Sequence, residues 1–127
     1  MKKIIKTEAA PAPIGPYNQA VRAGETLYVS GQIALDPQTG ELLEGSIEAE
    51  TELVMENLKA VLKAAGADFS NVVKSSIFVA DMGQFARINE VYGRYFEAET
   101  APARETVEVA NLPKYVNVEI SVIAVLA

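Results

Sequence analysis

The chain has no cysteine and no histidine. The first absence excludes disulfides and thiol nucleophiles, and the second removes Ser-His-Asp relays and the commonest zinc ligand. Basic excess is also missing, because 11 Lys and Arg stand against 17 Asp and Glu for a net charge of −6. Sequence-independent binding to a phosphate backbone depends on clustered cations, so nucleic acid is not an expected partner. No apolar run approaches the length that crosses a bilayer, and no membrane partner is expected. The start, Met1-Lys2-Lys3-Ile4-Ile5-Lys6, carries the charge of a secretion signal without the apolar stretch that follows one, which leaves the cytoplasm as the expected location. Chemistry is left to Arg, Glu, Tyr, Ser, Thr, Asn and the backbone, with no metal and no cofactor expected.

What is present suits a packed domain. Half of the 127 residues are apolar, and a chain of this size buries roughly two thirds of its unfolded surface. One domain over residues 1–127 is expected, without internal repeats or low-complexity tracts. Lys3 to Thr7 reads as a first strand. Glu8 to Tyr17 holds Pro11, Pro13, Gly15 and Pro16, a density of breakers that only a loop or linker accommodates. Asn18–Arg22 and Thr26–Ser30 flank Ala23-Gly24-Glu25 as a hairpin. Asp36 to Gly40 is a turn by its residue chemistry. Val54, Leu58, Val61, Leu62 and Ala65 recur at helical spacing within Ile47–Ala65, with Ser46 as the starting cap and Gly66 as the stop. Val72–Val79 is β-rich. Asp81 and Gln84 have the spacing of a capping box, and Phe85, Ile88, Tyr92 and Tyr95 mark a second amphipathic helix.

The stretch Ala101 to Val109 and the stretch Val116 to Val122 both alternate as half-buried strands. The spacing places Arg104, Thr106 and Glu108 opposite Val107 and Val109, and Asn117, Glu119 and Ser121 opposite Val116, Val118, Ile120 and Val122. If the apolar sets share one core, Arg104 and Glu119 lie together on the far side of the sheet. The order strand, strand, strand, helix, strand, helix, strand, strand predicts an α+β fold: a single sheet of about six strands with two helices on one face. The other face, with Arg104, Thr106, Glu119, Ser121, Ile123 and Val125, is a candidate interface between subunits.

The segments Ala12-Pro13-Ile14-Gly15-Pro16-Tyr17-Asn18-Gln19-Ala20, Val29-Ser30-Gly31-Gln32, Pro102-Ala103-Arg104 and Val118-Glu119-Ile120 together resemble the reactive intermediate deaminase family, also called Rid or YjgF, close to its RidA branch. The resemblance runs nearly end to end. It implies a chorismate-mutase-like (ferredoxin-like) fold, a homotrimer with sites in the clefts between subunits, and hydrolysis of 2-imino acids, formed from enamines such as 2-aminoacrylate, to 2-keto acids and ammonia. The residues it implies are Arg104 as carboxylate anchor, Glu119 as water activator and Tyr17 as the loop tyrosine. Ser30, Gly31 and Asn89 join Arg104 as substrate-binding positions, as does the backbone N–H of Thr106, where many relatives have Cys.

The residue types suit that chemistry. A guanidinium fork binds a planar carboxylate with two parallel hydrogen bonds, which Lys cannot do. A protonated imine carbon is already electrophilic, so hydrolysis asks only for a placed water and a group that moves protons. The alternatives are structural: an ion pair of Arg104 with Glu105, Glu108 or Glu119, a Tyr17 ring that merely walls the loop, and an Asn89 that is solvated. At the level of function they are a 2-keto acid sensor without turnover, and an endoribonuclease, which the acidic balance and the lack of histidine disfavour.

Overall fold

The computed structural model describes residues 1–126. Six strands, β1 (Lys2–Ile5), β2 (Ala20–Ala23), β3 (Thr26–Gln32), β4 (Val72–Val79), β5 (Ala103–Glu108) and β6 (Val118–Val125), form one sheet in the order β1-β2-β3-β6-β4-β5. All neighbours are antiparallel except β4 and β5, which run parallel. Parallel neighbours require a crossover, and the helix α2 (Phe85–Gly93) supplies it. The longer helix α1 (Ile47–Ala64) links β3 to β4. This is the α+β architecture that the order of elements predicts.

Helix α1 forms where its apolar stripe demands it. Ser46 accepts a hydrogen bond from the Ala49 N–H at 3.1 Å and caps the start. Val54, Leu58, Val61 and Leu62 are completely buried, each worth about 1.5–3 kcal/mol of apolar burial. They pack with Ile88 and Tyr92 of α2 on Leu27, Val29, Ile77, Val79, Val118 and Ile120 of the sheet. Both helices therefore cover one face. On the opposite face Tyr28 and Val107 stay exposed, at 51% and 40% of their free surface.

Several expected boundaries move, β2, β5 and β6 among them at Ala20–Ala23, Ala103–Glu108 and Val118–Val125, and three changes have a clear local reason. β1 ends at Ile5 rather than Thr7, because the Thr7 N–H is taken by the Gln19 side chain at 2.8 Å instead of a strand partner. α2 stops at Gly93, so Tyr95 lies beyond the helix, where its ring packs against Phe69 and its hydroxyl donates to Glu56 at 2.7 Å. Asp81 caps a short 3-10 turn at Met82–Gln84 through the Gly83 N–H, and Gln84 leads into α2 without a side-chain cap of its own.

The larger correction concerns faces. In the parallel ladder Ser75 sits beside Arg104 and Ile77 beside Thr106. Ser75 and Ile77 are buried beneath the helices. Arg104 and Thr106 thus belong to the helix side of the sheet, while Glu119, beside Phe78, belongs to the far side. The expectation that Val107 shares a core with Val118 and Ile120 fails, because β5 runs at the sheet's edge beside α2 and its valine turns outward. Arg104 and Glu119 of one chain face opposite ways.

The proline-rich segment between β1 and β2 is held mainly by the Gln19 side chain. Prolines remove N–H donors, so this stretch has a surplus of carbonyls, and the buried Gln19 amide donates to those of Thr7, Ala10 and Pro11 at 3.0, 3.2 and 2.9 Å. Replacing Gln19 by Ala is expected to cost roughly 1–3 kcal/mol, because buried carbonyls lose their donor. Hydrogen exchange at the Thr7 amide checks this: its protection should collapse while that of α1 persists.

Candidate functional site

Glu119 is placed by two strands that come unusually close. The β3 to β6 register shifts between Val29 and Gln32, and the irregularity brings Gly31 against the Glu119 side chain. A Cβ at position 31 would lie 2.8 Å from Glu119 Cδ, closer than real contacts allow. Glycine at 31 is therefore what lets the carboxyl lie across the strand. Behind it, Ile33, Leu35, Leu112 and Val116 form a small apolar cluster on which Phe78 and Val109 pack. The carboxyl is half-buried, and burial pushes its pKa above the ordinary carboxylate value of 4.5. Among the described residues no cation forms an ion pair with it.

This carboxyl opens into a cavity of about 240 Å³ walled by Pro11 to Ile14, Tyr17, Gly31 and Pro113. The Tyr17 ring packs on Gly15, its N–H donates to the Gly15 carbonyl at 2.8 Å, and its hydroxyl accepts a long bond from the Ile14 N–H at 3.4 Å. Tyr17 and Glu119 thus share one wall system. Ser30 does not line it. The Ser30 hydroxyl donates to the Asn18 carbonyl at 2.6 Å and fastens the loop to β3. Two supports that the sequence pattern did not single out hold the remaining walls. Asn57 of α1 donates to the carbonyls of Ile33 and Leu35 at 3.1 and 3.0 Å. The buried Glu50 accepts from the Asn117 N–H and side-chain amide at 2.8 and 2.7 Å, two residues before Glu119.

Arg104 occupies a second depression, lined by Met82, Phe85 and Thr106. Phe85, Asn89 and Tyr92 stand at i, i+4 and i+7 of α2 and so share one face. The guanidinium lies 5.5 Å from the Phe85 ring centre and 5.0 Å from that of Tyr92, and donates to Asn89 Oδ1 at 2.7 Å. The Tyr92 hydroxyl donates in turn to Ser75 at 2.8 Å, and burial raises its pKa. Of the carboxylates considered as structural partners, Glu105 pairs with Lys74 and Ser76, and Glu108 accepts from the Met82 N–H. Among the described residues Arg104 has no carboxylate partner.

The free edge of β5 adds donors beside it. The Val109 N–H bonds to the Val79 carbonyl, and alternation along a parallel ladder then turns the N–H groups of Arg104, Thr106 and Glu108 away from β4. The structure brings Arg104, Asn89 and Thr106 together, and separately Glu119, Tyr17 and Gly31. No single depression contains both sets. The Gln19 support could have been found from the carbonyl surplus of the prolines, and the aromatic cradle from the i, i+4, i+7 spacing. Glu50 carries no such signal, since it reads as one more polar residue at the start of a helix. Among the described residues, no helix is long and apolar enough to cross a membrane.

Comparison with known proteins shows the family and the fold. The family model described as Endoribonuclease L-PSP matches residues 7–126. A RutC family protein of Synechocystis is 55% identical over 98% of this chain and 96% of its own length. A mouse protein named 2-iminobutanoate/2-iminopropanoate deaminase is 48% identical over 98% of this chain and 92% of its own. The crystal structure of Escherichia coli TdcF with bound serine superposes with a TM-score of 0.92 at 44% identity, covering 98% of this chain and 99% of that one. Matched by the family model over nearly its whole length, the chain belongs to the Endoribonuclease L-PSP family, the RidA/YjgF group.

Proposed function

We propose that this protein is a cytoplasmic hydrolytic deaminase of short 2-imino acids, working as a homotrimer whose sites lie between subunits. The observation that carries the proposal is that Arg104 and Glu119 each lack a counter-charge and face opposite sides of one protomer's sheet. An unpaired, partly desolvated acid is costly to keep unless a ligand uses it, and an exposed guanidinium held by rings and an amide keeps its charge available to an anion. A second copy that presents its far face to the first copy's β5 edge brings the two clusters together.

In that pocket the Arg104 fork and the Thr106 N–H hold the substrate carboxylate. Glu119 from the neighbouring copy takes a proton from water as the water oxygen bonds to the iminium carbon. It returns that proton to nitrogen, and as the C–N bond breaks it takes the remaining hydroxyl proton and passes it to the departing ammonia, so a 2-keto acid and ammonium leave. A carboxyl with a raised pKa suits both transfers, since its affinity for the proton approaches that of its surroundings. Tyr17 walls the substrate's carbon chain. The names of the mammalian relatives support the same reaction class.

The family description raises a nuclease as the second reading. The net charge of −6 and the absence of histidine weigh against it.

Glu119→Gln should lower kcat by about 10²–10⁴-fold on imines released by an amino-acid oxidase, with 2-keto acid binding retained. Arg104→Lys should raise KM and lower kcat together, because the fork is lost with the orientation it gives. If Arg104→Lys leaves both constants unchanged, the anchor is elsewhere. The Glu119 pKa is raised, so the acid limb of kcat/KM should lie above 4.5 and disappear in Glu119→Gln. The same shift makes the Glu119 contribution to stability full at low pH and lost as pH rises through the folded-state value.

Co-folding Arg104→Ala with Glu119→Gln protomers tests shared sites directly. About a quarter of the interfaces in an equal mixture then hold both intact residues and should regain turnover. A site complete within one chain gives no recovery.

A further inference from the structure

Glu50 is a carboxylate that the fold keeps out of water, at 6% of its free surface, in the first turn of α1. Both of its oxygens serve one residue. They accept from the Asn117 N–H at 2.8 Å and the Asn117 side-chain amide at 2.7 Å, across 67 positions of chain. The Asn117 carbonyl accepts from the Ala80 N–H at 3.0 Å, so this residue is held from three sides. An aliphatic side chain would fill the place of Glu50 without desolvating a charge. What the carboxylate adds is direction, two bonds that fix where one backbone unit lies.

The need for such a hold lies on either side of Asn117. Before it, Lys114 and Tyr115 both have a φ of 55°, a left-handed backbone that is unfavourable for residues with a Cβ. After it, β6 begins with Val118 and Glu119, and there the strand is paired on one side only. β4 lies beside both residues, at Val79 and Phe78, whereas the β3 register ends at Gln32 with Ile120. The Glu119 backbone thus stands at a strand end with an open flank, directly after a strained turn. That turn also carries Pro113, a wall of the cavity into which the Glu119 carboxyl opens.

We propose that Glu50 is a positioning residue for the reaction: by holding Asn117 it fixes the start of β6, and with it the place of the Glu119 carboxyl and of the Pro113 wall. This rests on the reading of Glu119 as water activator and goes beyond it by naming what keeps that carboxyl in place. Glu50 does not line the cavity itself. It acts through two residues of chain, and a displacement of about 1 Å takes a proton-transfer group out of line, a loss of about 10²-fold in rate. Gln at position 50 can rebuild the hold, because the Asn117 amide can turn over so that its oxygen meets the Gln nitrogen. Alanine leaves both donors of Asn117 without this partner.

The experiment compares Glu50→Ala, Glu50→Gln and Asn117→Ala with the unaltered protein. It reads turnover of oxidase-released imines, calorimetric binding of 2-oxobutanoate and a carboxyl-carbon NMR titration of Glu119, all well below melting. Glu50→Ala should lower kcat about 10- to 100-fold. Its affinity for 2-oxobutanoate should stay within about threefold, because Arg104 and its neighbours are untouched. The Glu119 pKa, which burial holds above 4.5, should fall toward that value as the loosened strand end admits water. Glu50→Gln should recover kcat to within about threefold of the original and keep the raised Glu119 value. Asn117→Ala, a change at an exposed residue, keeps the backbone bond and loses the amide bond, so kcat should fall by a smaller factor, about three- to tenfold. A Glu50 with a merely structural part would lower the melting temperature and leave kcat and the Glu119 titration as they were. Either of those two unchanged in Glu50→Ala overturns the proposal, as does a Glu50→Gln that falls as far as Glu50→Ala. Should Glu50→Ala not fold, Asn117→Ala decides by the same two readings. If the unaltered protein hydrolyses no imine, the deaminase reading fails, and the Glu119 titration alone decides this inference.

Discussion

The ladder between β4 and β6 at the centre of the sheet governs everything functional here. It sets Phe78 beside Glu119 and Ile77 beside Ile120, and alternation then fixes which face each neighbour takes. β5 inherits its orientation from β4, and β3 inherits its own from β6. A slip of one residue in that central pairing would turn Glu119 into the helix-covered core and expose Ile120, exchanging a carboxyl and an aliphatic side chain between the two faces. Such a slip buries a charge and uncovers the apolar layer at once, so the register is strongly specified by the same residues that make the core.

The sequence showed the elements well because their signals are local. The α1 stripe, its Ser46 cap and the β-rich run Val72–Val79 follow from residue spacing alone, and the structure places them within a residue of expectation. The relation of Arg104 to Glu119 was not legible, because alternation states which residues share a face within a strand and not which face meets the helices. Val107 looked like a core residue and is not, since an edge strand has a weaker claim on the core than a central one. The Pro-rich loop was visible as irregular, but its order comes from Gln19, eight residues from the nearest proline carbonyl that it holds.

Electrostatics sets the balance between folding and chemistry. Three ion pairs form among the described residues: Arg87 with Glu48, Lys74 with Glu105, and Arg94 with Glu90. These pairs are solvent-exposed and contribute little each. Arg104 is held by aromatic rings and an amide rather than by an acid, which leaves its charge undiminished. Glu119 is desolvated without being neutralised by a cation. Both arrangements leave a charged or ionisable group without the salt bridge that would be the simplest stabilising solution, the kind of local departure from optimal packing that a site for the proposed function would require.

The open margin of β5 has a further consequence for the life of the newly made chain. A strand whose N–H and C=O groups point outward is a template for any passing extended segment, its own sibling chains included. Here that margin is guarded by alternating charge, Arg104, Glu105 and Glu108, and by the curl of α2 beside its start. The guard discourages indiscriminate strand addition during synthesis, when local concentrations on a polysome are high. The charges along this margin therefore also discourage the newly made chain from pairing with its kin.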